Sequence, residues 1–333
     1  MLNTRISGIA FLLFASNILT PLYLDAQETK VANMSPFSIT QGDGKVDVVQ
    51  DGKLVASYHV QSKSRPIVWP IMGPDGVQMT RKWPMSEEDS KEKKDHPHHR
   101  SLWFSHGEVN GNDFWAEPNG HGNVVHQEFR NVKADSSRAT IEAINHWIAA
   151  NGERQIVENR RITFLGTHEK RLIDCEFKLT ADRDIHFGDT KEGTFAIRMA
   201  ETMKVETKPA GTIEDSLGNR DNAAWGKPAT WVDYNGMIGE KRYGVAILCH
   251  PSTFRAPGRW HVRGYGLFAH NPFGLKDFVG DAKAEGGGYL LPKGESLSFH
   301  YRVVLHRGDA SEGGIAAIYR DYAESKLAPL GVK

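Results

Sequence analysis

The sequence has few cysteines, no net charge and no long apolar run beyond its N-terminal end. Lys plus Arg and Asp plus Glu number 41 each, so the chain lacks the excess of basic residues that nucleic-acid binding needs. Its two cysteines, Cys175 and Cys249, each lie in a strand-like run, which leaves two free thiols and one disulfide equally open. No internal repeat and no linker rich in Pro or Ser divides the chain. These absences argue against a nucleic-acid partner and favour one large domain.

The one long apolar run lies at the N-terminus. Arg5 precedes a run of largely apolar residues, 6–18, and small residues follow near position 26. This run is shorter than the roughly 20 residues of a membrane-spanning helix, and it has the length of a signal-peptide core. We therefore expect residues 1–26 to be a cleaved signal peptide and residues 27–333 to be the mature chain. The protein is then periplasmic or secreted, without membrane insertion.

Alternation of apolar and polar residues dominates the mature chain. This period of two, typical of half-buried strands, occurs at residues 45–50, 54–60, 138–146, 158–164, 171–179, 243–249 and 298–305. Asp51-Gly52 and Asn151-Gly152 are favourable hairpin turns between such runs. Residues 313–326 have the periodicity of an amphipathic helix. We predict an all-β single domain over residues 27–333, a large antiparallel β-sandwich with one C-terminal helix.

Two long segments interrupt the strand pattern. Residues 80–123 begin with a charged run at 86–95 and continue in a dense block of histidines and aromatics. Residues 250–288 are rich in Gly, Pro and aromatic residues. Long irregular loops on an all-β scaffold commonly carry functional residues. We expect function in these segments, and we expect the charged run itself to be a solvated loop.

The first candidate cluster spans residues 95–117. It holds four of the 15 histidines of the chain, His96, His98, His99 and His106. Histidine is a common acid, base or metal ligand near neutral pH. Side chains suited to sugar hydroxyls and ring faces are interleaved with them: Arg100, Trp103, Asn110, Asp113 and Trp115. The same histidines also offer enough ligands for a divalent metal, but no HExxH helix and no cysteine pair with zinc spacing accompanies them. We predict a site without a cofactor and keep a metal here as the alternative.

The second cluster spans residues 186–201. Asp189 and Glu192 lie in a polar turn before an apolar strand that carries Arg198. A carboxylate held in such a turn beside an apolar strand is suited to acid or base catalysis. The alternative for this segment is a hairpin turn with solvated charges.

The third cluster spans residues 250–274 and again combines donors with aromatics. Its candidate binding residues are His250, His261, Arg263 and Asn271. Because His261 and Arg263 are two residues apart in a predicted strand, their side chains should project from the same face. We expect all three clusters to converge on one concave surface.

The three clusters resemble the signature blocks of a known family. DHPHHRSLWFSHGEVNGNDFW (95–115), FGDTKEGTFAIRMA (187–200) and HPSTFRAPGRWHVRGYGLFAHNPFG (250–274) are similar to those of the PmoA-like family of exported bacterial proteins. Members of that family are often encoded among polysaccharide-degrading and sugar-oxidising genes, so the resemblance implies a sugar-related role. The sequence departs from the family pattern at Ser101, where Gly is usual, and at Gly264, where Asp is common. The second departure puts a carboxylate contribution near Arg263 in doubt.

A second resemblance covers the C-terminal strands. LLPKGESLSFHYRVVLHRG (290–308) is similar to the closing strands of galactose-mutarotase-like supersandwich proteins. That fold presents a concave sheet lined by His, Glu, Arg and aromatic residues, and it hosts epimerases, lyases and hydrolases. The likeness is an analogy of fold and does not fix the function.

Together these features predict a carbohydrate-active protein, an enzyme that applies acid–base chemistry to a sugar or glycoside as a hydrolase, lyase or epimerase. The predicted catalytic residues are His98, His99, His106, Glu192 and His261. The predicted substrate-binding residues are Arg100, Trp103, Asn110, Asp113, Trp115, Asp189, Arg198, His250, Arg263 and Asn271. A carbohydrate-binding protein without turnover is the alternative, and a structural or adhesion role is the third candidate.

Overall fold

A computed structural model of the protein describes Met1 and residues 36–88 and 91–330. The predicted signal peptide, residues 1–26, therefore lies outside the described residues except for Met1. In chain order the strands are β1 Phe37–Gly42, β2 Lys45–Gln50, β3 Lys53–Ser62, β4 Arg65–Ile71, β5 Leu102–His106, β6 Asn123–Ala134, β7 Arg138–Ile148, β8 Arg154–Gly166, β9 Arg171–Ala181, β10 Ile185–Phe187, β11 Gly193–Arg198, β12 Thr212–Asp215, β13 Trp231–Ile238, β14 Lys241–Cys249, β15 Arg259–Val262, β16 Leu267–Asn271, β17 Tyr289–Leu291 and β18 Ser296–Arg307. The α-helices are α1 Lys276–Val279 and α2 Ile315–Ala323.

These strands form two large antiparallel sheets and a small ribbon. The first sheet has the order β1-β2-β3-β4-β5-β11-β16-β15, and the second has the order β12-β13-β14-β18-β9-β8-β7-β6. Strands β10 and β17 pair as the ribbon. All seven runs with a period of two are strands, so the predicted all-β sandwich is confirmed. The described residues between 36 and 330 form one compact unit.

The core lies between the two sheets. Phe104 of β5 stacks on Phe177 of β9 with ring centroids 4.0 Å apart, and Phe195 of β11 stacks on Tyr301 of β18 at 4.4 Å. Both cysteines are buried and free. Tyr301 lies between them in the second sheet, since it pairs with Cys175 on one side and with Cys249 on the other. Of the two arrangements that the sequence left open, the structure has the free thiols.

The C-terminal helix packs on the outer face of the second sheet. Helix α2 is shorter than the predicted span 313–326. Its buried residues Ile315 and Tyr322 belong to a small apolar cluster with Trp231, Leu248 and Val304 of the sheet. Neither this helix nor any other in the described part of the chain has the length and hydropathy needed to cross a membrane.

The two segments predicted to be irregular contain strands of the first sheet. Residues 80–123 include β5, and residues 250–288 include β15 and β16. Every residue of β5 and β16 is buried, so these strands have no alternation of apolar and polar residues to detect. One of their faces joins the core. The other, which we call the outer face of the first sheet, carries Trp103, Leu267 and Ala269 and is covered by loops.

Candidate functional site

A pocket of about 550 Å³ opens beside the outer face of the first sheet. Its walls come from all three of the predicted clusters and from one further segment. The lining residues are His96, His98, His99, Ala116, Lys191, Glu192, Glu206, Asn222, His261, Arg263, Gly264 and Tyr265. Five of the predicted site residues are therefore brought together here: His98, His99, Glu192, His261 and Arg263.

Two buried arginines hold the histidine loop in place. Arg81 and Arg198 both donate to the Asp95 Oδ1 carboxylate oxygen at 2.7 Å. Burial alone would raise the pKa of Asp95, but the charges of Arg198 and Arg81 lower it to about 2. Arg81 also donates to four backbone carbonyl groups of the loop, those of Lys93, Asp95, His96 and His99. These buried hydrogen bonds fix the conformation of the loop, and His96, His98 and His99 line the pocket.

His99 is a buried, neutral wall of the pocket. Its Nδ1 accepts a hydrogen bond from Arg198 Nη1 at 3.1 Å, so the ring proton lies on Nε2. Burial, followed by the nearby His98 and the charge of Arg198, lowers the pKa of His99 well below its usual value. The ring stacks between His96 at 4.8 Å and Trp103 at 5.4 Å. Packing on both faces makes this imidazole a positioned hydrogen-bond donor.

The backbone of this loop is strained at Ser101. Ser101 has a φ of 57°, in the left-handed region that favours glycine. Its Oγ donates to Thr80 Oγ1 at 2.9 Å, which compensates in part for the strained conformation. Serine is thus accommodated where glycine is usual.

The chemical centre of the pocket is Glu192 beside His261. Glu192 Oε2 lies 3.9 Å from His261 Nδ1. That nitrogen donates to the Lys191 carbonyl oxygen at 2.9 Å, which leaves Nε2 of the neutral ring as an acceptor. Burial raises the pKa of Glu192 although Lys191 and Arg263 oppose the shift, and burial lowers the pKa of His261 to about 3. The carboxyl group is therefore the side chain best suited to exchange a proton near neutral pH.

Two further charged residues, Arg263 and Glu206, line the same pocket. The Arg263 guanidinium lies 3.6 Å from the centroid of the Trp225 ring. A Cβ atom added to Gly264 would be 3.5 Å from Glu206 Oε1. Glu206, from another segment, thus lies directly beside Gly264, and this second carboxyl group lines the same pocket.

Several buried polar atoms next to the pocket have no hydrogen-bond partner among the described residues. They are Nε1 of Trp103 and Trp115, Oγ of Ser105 and Oγ1 of Thr194. The two indoles contact His99, at 5.4 and 6.0 Å between ring centroids. A buried polar group without a partner costs about 1–3 kcal/mol, but none of these four residues lines the pocket.

His106 does not share the pocket with His261, contrary to the expectation from the sequence. Side chains alternate along β5, so His106 points into the core with Phe104, away from Trp103. Its Nε2 is hydrogen-bonded to the Gly188 carbonyl oxygen at 2.9 Å. Burial lowers the pKa of His106 to about 4. This histidine ties β5 to the turn that carries Glu192.

Four other predicted binding residues shape loops instead of lining the pocket. Asp113 Oδ1 accepts from two backbone amides, those of Trp115 and Ala116. Asn271 Nδ2 donates to the Thr190 carbonyl oxygen, and Asp189 Oδ1 accepts from the amides at the start of α1. Asn110 bonds to Gln155 and to the backbone of the ribbon. Because their polar atoms are engaged with the backbone, these side chains position the turns around the site.

The remaining predicted residues lie behind the pocket or far from it. Arg100 donates to Glu117 Oε1 at 2.5 Å. Trp103, Trp115 and Arg198 support His99 from behind. His250 lies against Tyr322 of the C-terminal helix, 5.1 Å between ring centroids, on the second sheet. Residue type alone therefore predicted membership of the pocket less well than the position of a residue on its strand did.

The sequence analysis missed Lys191, Glu206, Asn222 and Tyr265 as site residues. Lys191 and Tyr265 lie within the second and third clusters, so their spacing from Glu192 and Arg263 was available as a signal. Glu206 and Asn222 come from a segment without histidines, and the only local signal there is the polar run 219–222 before Trp225.

The alternative of a metal centre can be compared with the geometry. In the described residues no group of three or more His, Cys, Asp or Glu side chains is arranged to hold a metal ion. His96, His98 and His99 have ring centroids 4.4–5.8 Å apart, whereas His106 lies on the opposite face of the sheet.

Comparison with solved structures finds weak similarity to sugar enzymes. A galactose mutarotase-related enzyme from Lactobacillus acidophilus is 9% identical, with 81% of this chain and 97% of that chain covered and a TM-score of 0.33. Galactose 1-epimerase from Lactobacillus acidophilus NCFM is 10% identical, with 82% and 98% covered and a TM-score of 0.36. The GH36 α-galactosidase AgaA from Geobacillus stearothermophilus is 10% identical, with a TM-score of 0.37. The match covers 82% of this chain but only 40% of that enzyme. Similarity this low says nothing of substrate or reaction.

Comparison at the level of sequence gives a family. No curated protein matches the chain. Residues 45–320 match the family model described as a family of unknown function, DUF6807, and no PmoA-like model is matched. The matched region contains both large sheets apart from β1, and it includes every residue that lines the pocket. The chain therefore belongs to the DUF6807 family.

Proposed function

We propose that this protein is an exported carbohydrate-active enzyme in which Glu192 performs acid–base chemistry at a sugar ring or glycosidic bond. The observation that carries the proposal is the pair at the centre of the pocket. Glu192, whose carboxyl pKa is raised by burial, lies 3.9 Å from the neutral ring of His261. A carboxyl group held in this way exchanges protons near neutral pH more readily than an exposed one.

Glycoside hydrolysis, β-elimination and ring opening all need an acid and a base on opposite sides of one bond. Glu192 supplies one of these groups. Glu206 is the second carboxyl group of the pocket, and it enters from a different segment beside Gly264. Two carboxyl groups that face one cavity form the usual equipment of a glycosidase-type site.

The rest of the pocket is suited to a ligand with many hydroxyl groups. The imidazoles of His98, His99 and His261 are neutral, because burial lowers the pKa of each ring. A neutral imidazole offers one donor and one acceptor, which matches a hydroxyl group. Lys191 and Asn222 add further donors at the rim. A polyhydroxylated ligand is therefore the chemical class that fits best.

A carbohydrate-binding protein without turnover is the second candidate, and one observation favours it. Burial lowers the pKa values of His98 and His261 to about 3, so both rings are weak bases at neutral pH. Catalysis then depends on carboxyl groups alone. In this alternative the same pocket recognises a sugar and releases it unchanged.

The test is turnover measured together with binding. Protein that begins at Gln27 is incubated with a panel of monosaccharides, oligosaccharides and aryl glycosides, and anomeric signals are followed by NMR. We expect conversion of at least one substrate by the wild type and none by Glu192→Gln, which should still bind it in saturation-transfer NMR. Binding without conversion by the wild type would establish the second candidate. No binding of any sugar would contradict both.

The proposal of export has its own measurement. Expression of the full chain in a Gram-negative host, followed by fractionation and intact-mass spectrometry, should give a periplasmic or secreted product that lacks residues 1–26. A cytoplasmic product with an intact N-terminus would contradict it.

A further inference from the structure

Arg263 differs from the other arginines near the pocket. Arg81 and Arg198 are fully buried, and their guanidinium groups are engaged with Asp95 and with neighbouring groups of the loop. Arg263 lines the pocket, and its guanidinium lies against the Trp225 ring, 3.6 Å from the centroid. Within the described residues, no acceptor lies within hydrogen-bonding distance of its N–H groups. A positioned cation therefore faces the cavity, and no hydrogen-bond acceptor from the described part of the chain pairs with it.

The carboxyl groups of the pocket do not neutralise Arg263. The neighbours of the Glu192 carboxyl group are Lys191 and His261. Its Oε1 is 3.4 Å from Lys191 Nζ, and its Oε2 is 3.9 Å from His261 Nδ1. Glu206 lies beside Gly264, and the structure shows no ion pair between it and Arg263 in the described part of the chain. The donors of Arg263 thus remain available although two carboxyl groups share the cavity.

The contact with Trp225 prepares the guanidinium for one kind of ligand. An aromatic face supports the cation through cation–π attraction and restricts its orientation, while the N–H groups at the edge stay accessible. The planar fork of N–H donors matches the two oxygens of a carboxylate and binds them in a bidentate manner. Because Trp225 already restricts the side chain, less conformational entropy is lost when the ligand binds.

We propose that Arg263 binds the carboxylate of an acidic sugar, so that the substrate class is a uronic acid or a uronate-containing oligosaccharide. This inference rests on the proposed function and names the substrate class of the same pocket. Lys191 adds a second positive charge on the same side as Glu192. Burial raises the pKa of Glu192, which disfavours its charged form and so weakens its repulsion of an anion. Glu206 is left to accept hydrogen bonds from ring hydroxyls.

The test compares sugars that differ only in the acidic group. Galacturonate against galactose, and glucuronate against glucose, are titrated into the wild type by calorimetry at low ionic strength. We expect the uronates to bind about tenfold or more tightly, as hydrogen bonds between charged groups predict. Arg263→Gln should remove this preference, so that uronate and hexose affinities of the variant lie within about twofold of each other. Arg130→Gln, which changes an exposed arginine paired with Glu128, is the matched control and should keep the preference.

Each outcome has a defined meaning. Equal affinity for uronate and hexose in the wild type, or a preference that survives in Arg263→Gln, would overturn the acidic-sugar assignment and leave the proposed function standing. Failure of every sugar to bind would contradict the proposed function itself. Tighter binding of a 6-sulfated hexose than of the uronate would replace carboxylate by sulfate. If Arg263→Gln does not fold, Arg263→Lys is used, because it keeps the charge but loses the fork. It should reduce the preference to a few-fold, and an undiminished preference would count against the bidentate contact.

Discussion

Two cavities of similar size lie on opposite sides of the sandwich, and their charges are arranged in opposite ways. The pocket of about 550 Å³ beside the first sheet is the candidate site. A cleft of about 580 Å³ lies on the outer face of the second sheet, beneath the C-terminal residues 322–328. In this cleft Arg161 donates to Glu142 at 2.6 Å and to Glu176 at 3.0 Å, and Arg302 donates to Asp174 at 2.6 Å. These charged groups of the cleft are paired with one another, whereas the Arg263 guanidinium faces the cavity of the pocket.

The difference teaches that volume and polarity alone do not identify a site. Arg161 also donates to the carbonyl groups of Ala328 and Pro329, so the cleft network attaches the C-terminal segment to the sheet. Ion pairs between partly exposed side chains contribute little to stability, and their pairing leaves few of these groups for a ligand. In the pocket, by contrast, the Arg263 guanidinium is positioned by packing on Trp225 and has no hydrogen-bond partner among the described residues. The difference between the pocket and the cleft can be tested by making the same kind of substitution in both regions and comparing the effects.

The largest effect is expected at Glu192. Glu192→Gln should lower turnover of the true substrate by about 10²–10⁴-fold, because it removes a positioned acid or base while keeping the shape of the side chain. The same change in the cleft, Glu142→Gln, should leave turnover within about twofold, since that group only pairs with Arg161. Initial rates under identical conditions, with circular dichroism as the check of folding, decide the matter. Equal losses in both variants would erase the distinction between the two regions.

A second large effect concerns stability. Asp95→Ala should lower the free energy of unfolding by about 3 kcal/mol, because it leaves two fully buried arginines without their shared carboxylate. Asp174→Ala is the counterpart in the cleft. Its partner Arg302 is 18% exposed, and the loss should stay near or below about 1 kcal/mol. Urea unfolding of both variants and the wild type measures the difference. A cleft variant as destabilised as Asp95→Ala would show that the cleft network is also structurally essential.

The low pKa of Asp95 predicts that the stability of the protein decreases in acid. The pKa of Asp95 is about 2 in the folded protein, against 3.8 ordinarily, so the folded state holds the charged form more strongly than the unfolded state does. Its contribution, about 2 kcal/mol, is complete above about pH 4 and is lost as the pH falls through about 2. The difference in unfolding free energy between the wild type and Asp95→Asn should therefore become smaller as the pH falls from 5 to 2. A difference that stays constant with pH would mean that the carboxylate contributes through packing alone.

From the sequence, the positions of the strands and the meeting of the three clusters at one pocket could be predicted better than the roles of individual side chains. Alternation identified β2 and β8 because each has one buried and one more exposed face. It missed β5 and β16, which are buried on both faces. The spacing of His261 and Arg263 placed both side chains in the pocket, as a strand requires. The register of β5 was not predictable, so the sequence did not show that His106 points into the core. Nor did it show that Asp95 accepts from Arg198 while the Arg263 guanidinium has no hydrogen-bond partner among the described residues. Such pairing depends on contacts between distant segments, which for Asp95 and Arg198 are 103 residues apart.

The smallest expected effect is the most discriminating one, because it asks whether the histidines of the pocket ever carry a charge. Burial lowers the pKa values of His98 and His261 to about 3, so neither ring should gain a proton between pH 8 and pH 5. Their Cε1–H signals, assigned by comparing the wild type with His98→Gln and His261→Gln, should stay constant across that range in NMR titration. The unfolded chain takes up these protons near pH 6.5, so each buried ring lowers stability as the pH falls from about 6.5 towards 3, and each Gln variant should be less acid-sensitive than the wild type. A midpoint near pH 6 for His261 would show an imidazolium beside Glu192. Proton transfer would then involve the histidine that the sequence pointed to as well as the carboxyl group, and an added cation beside Arg263 would strengthen the attraction for an acidic sugar.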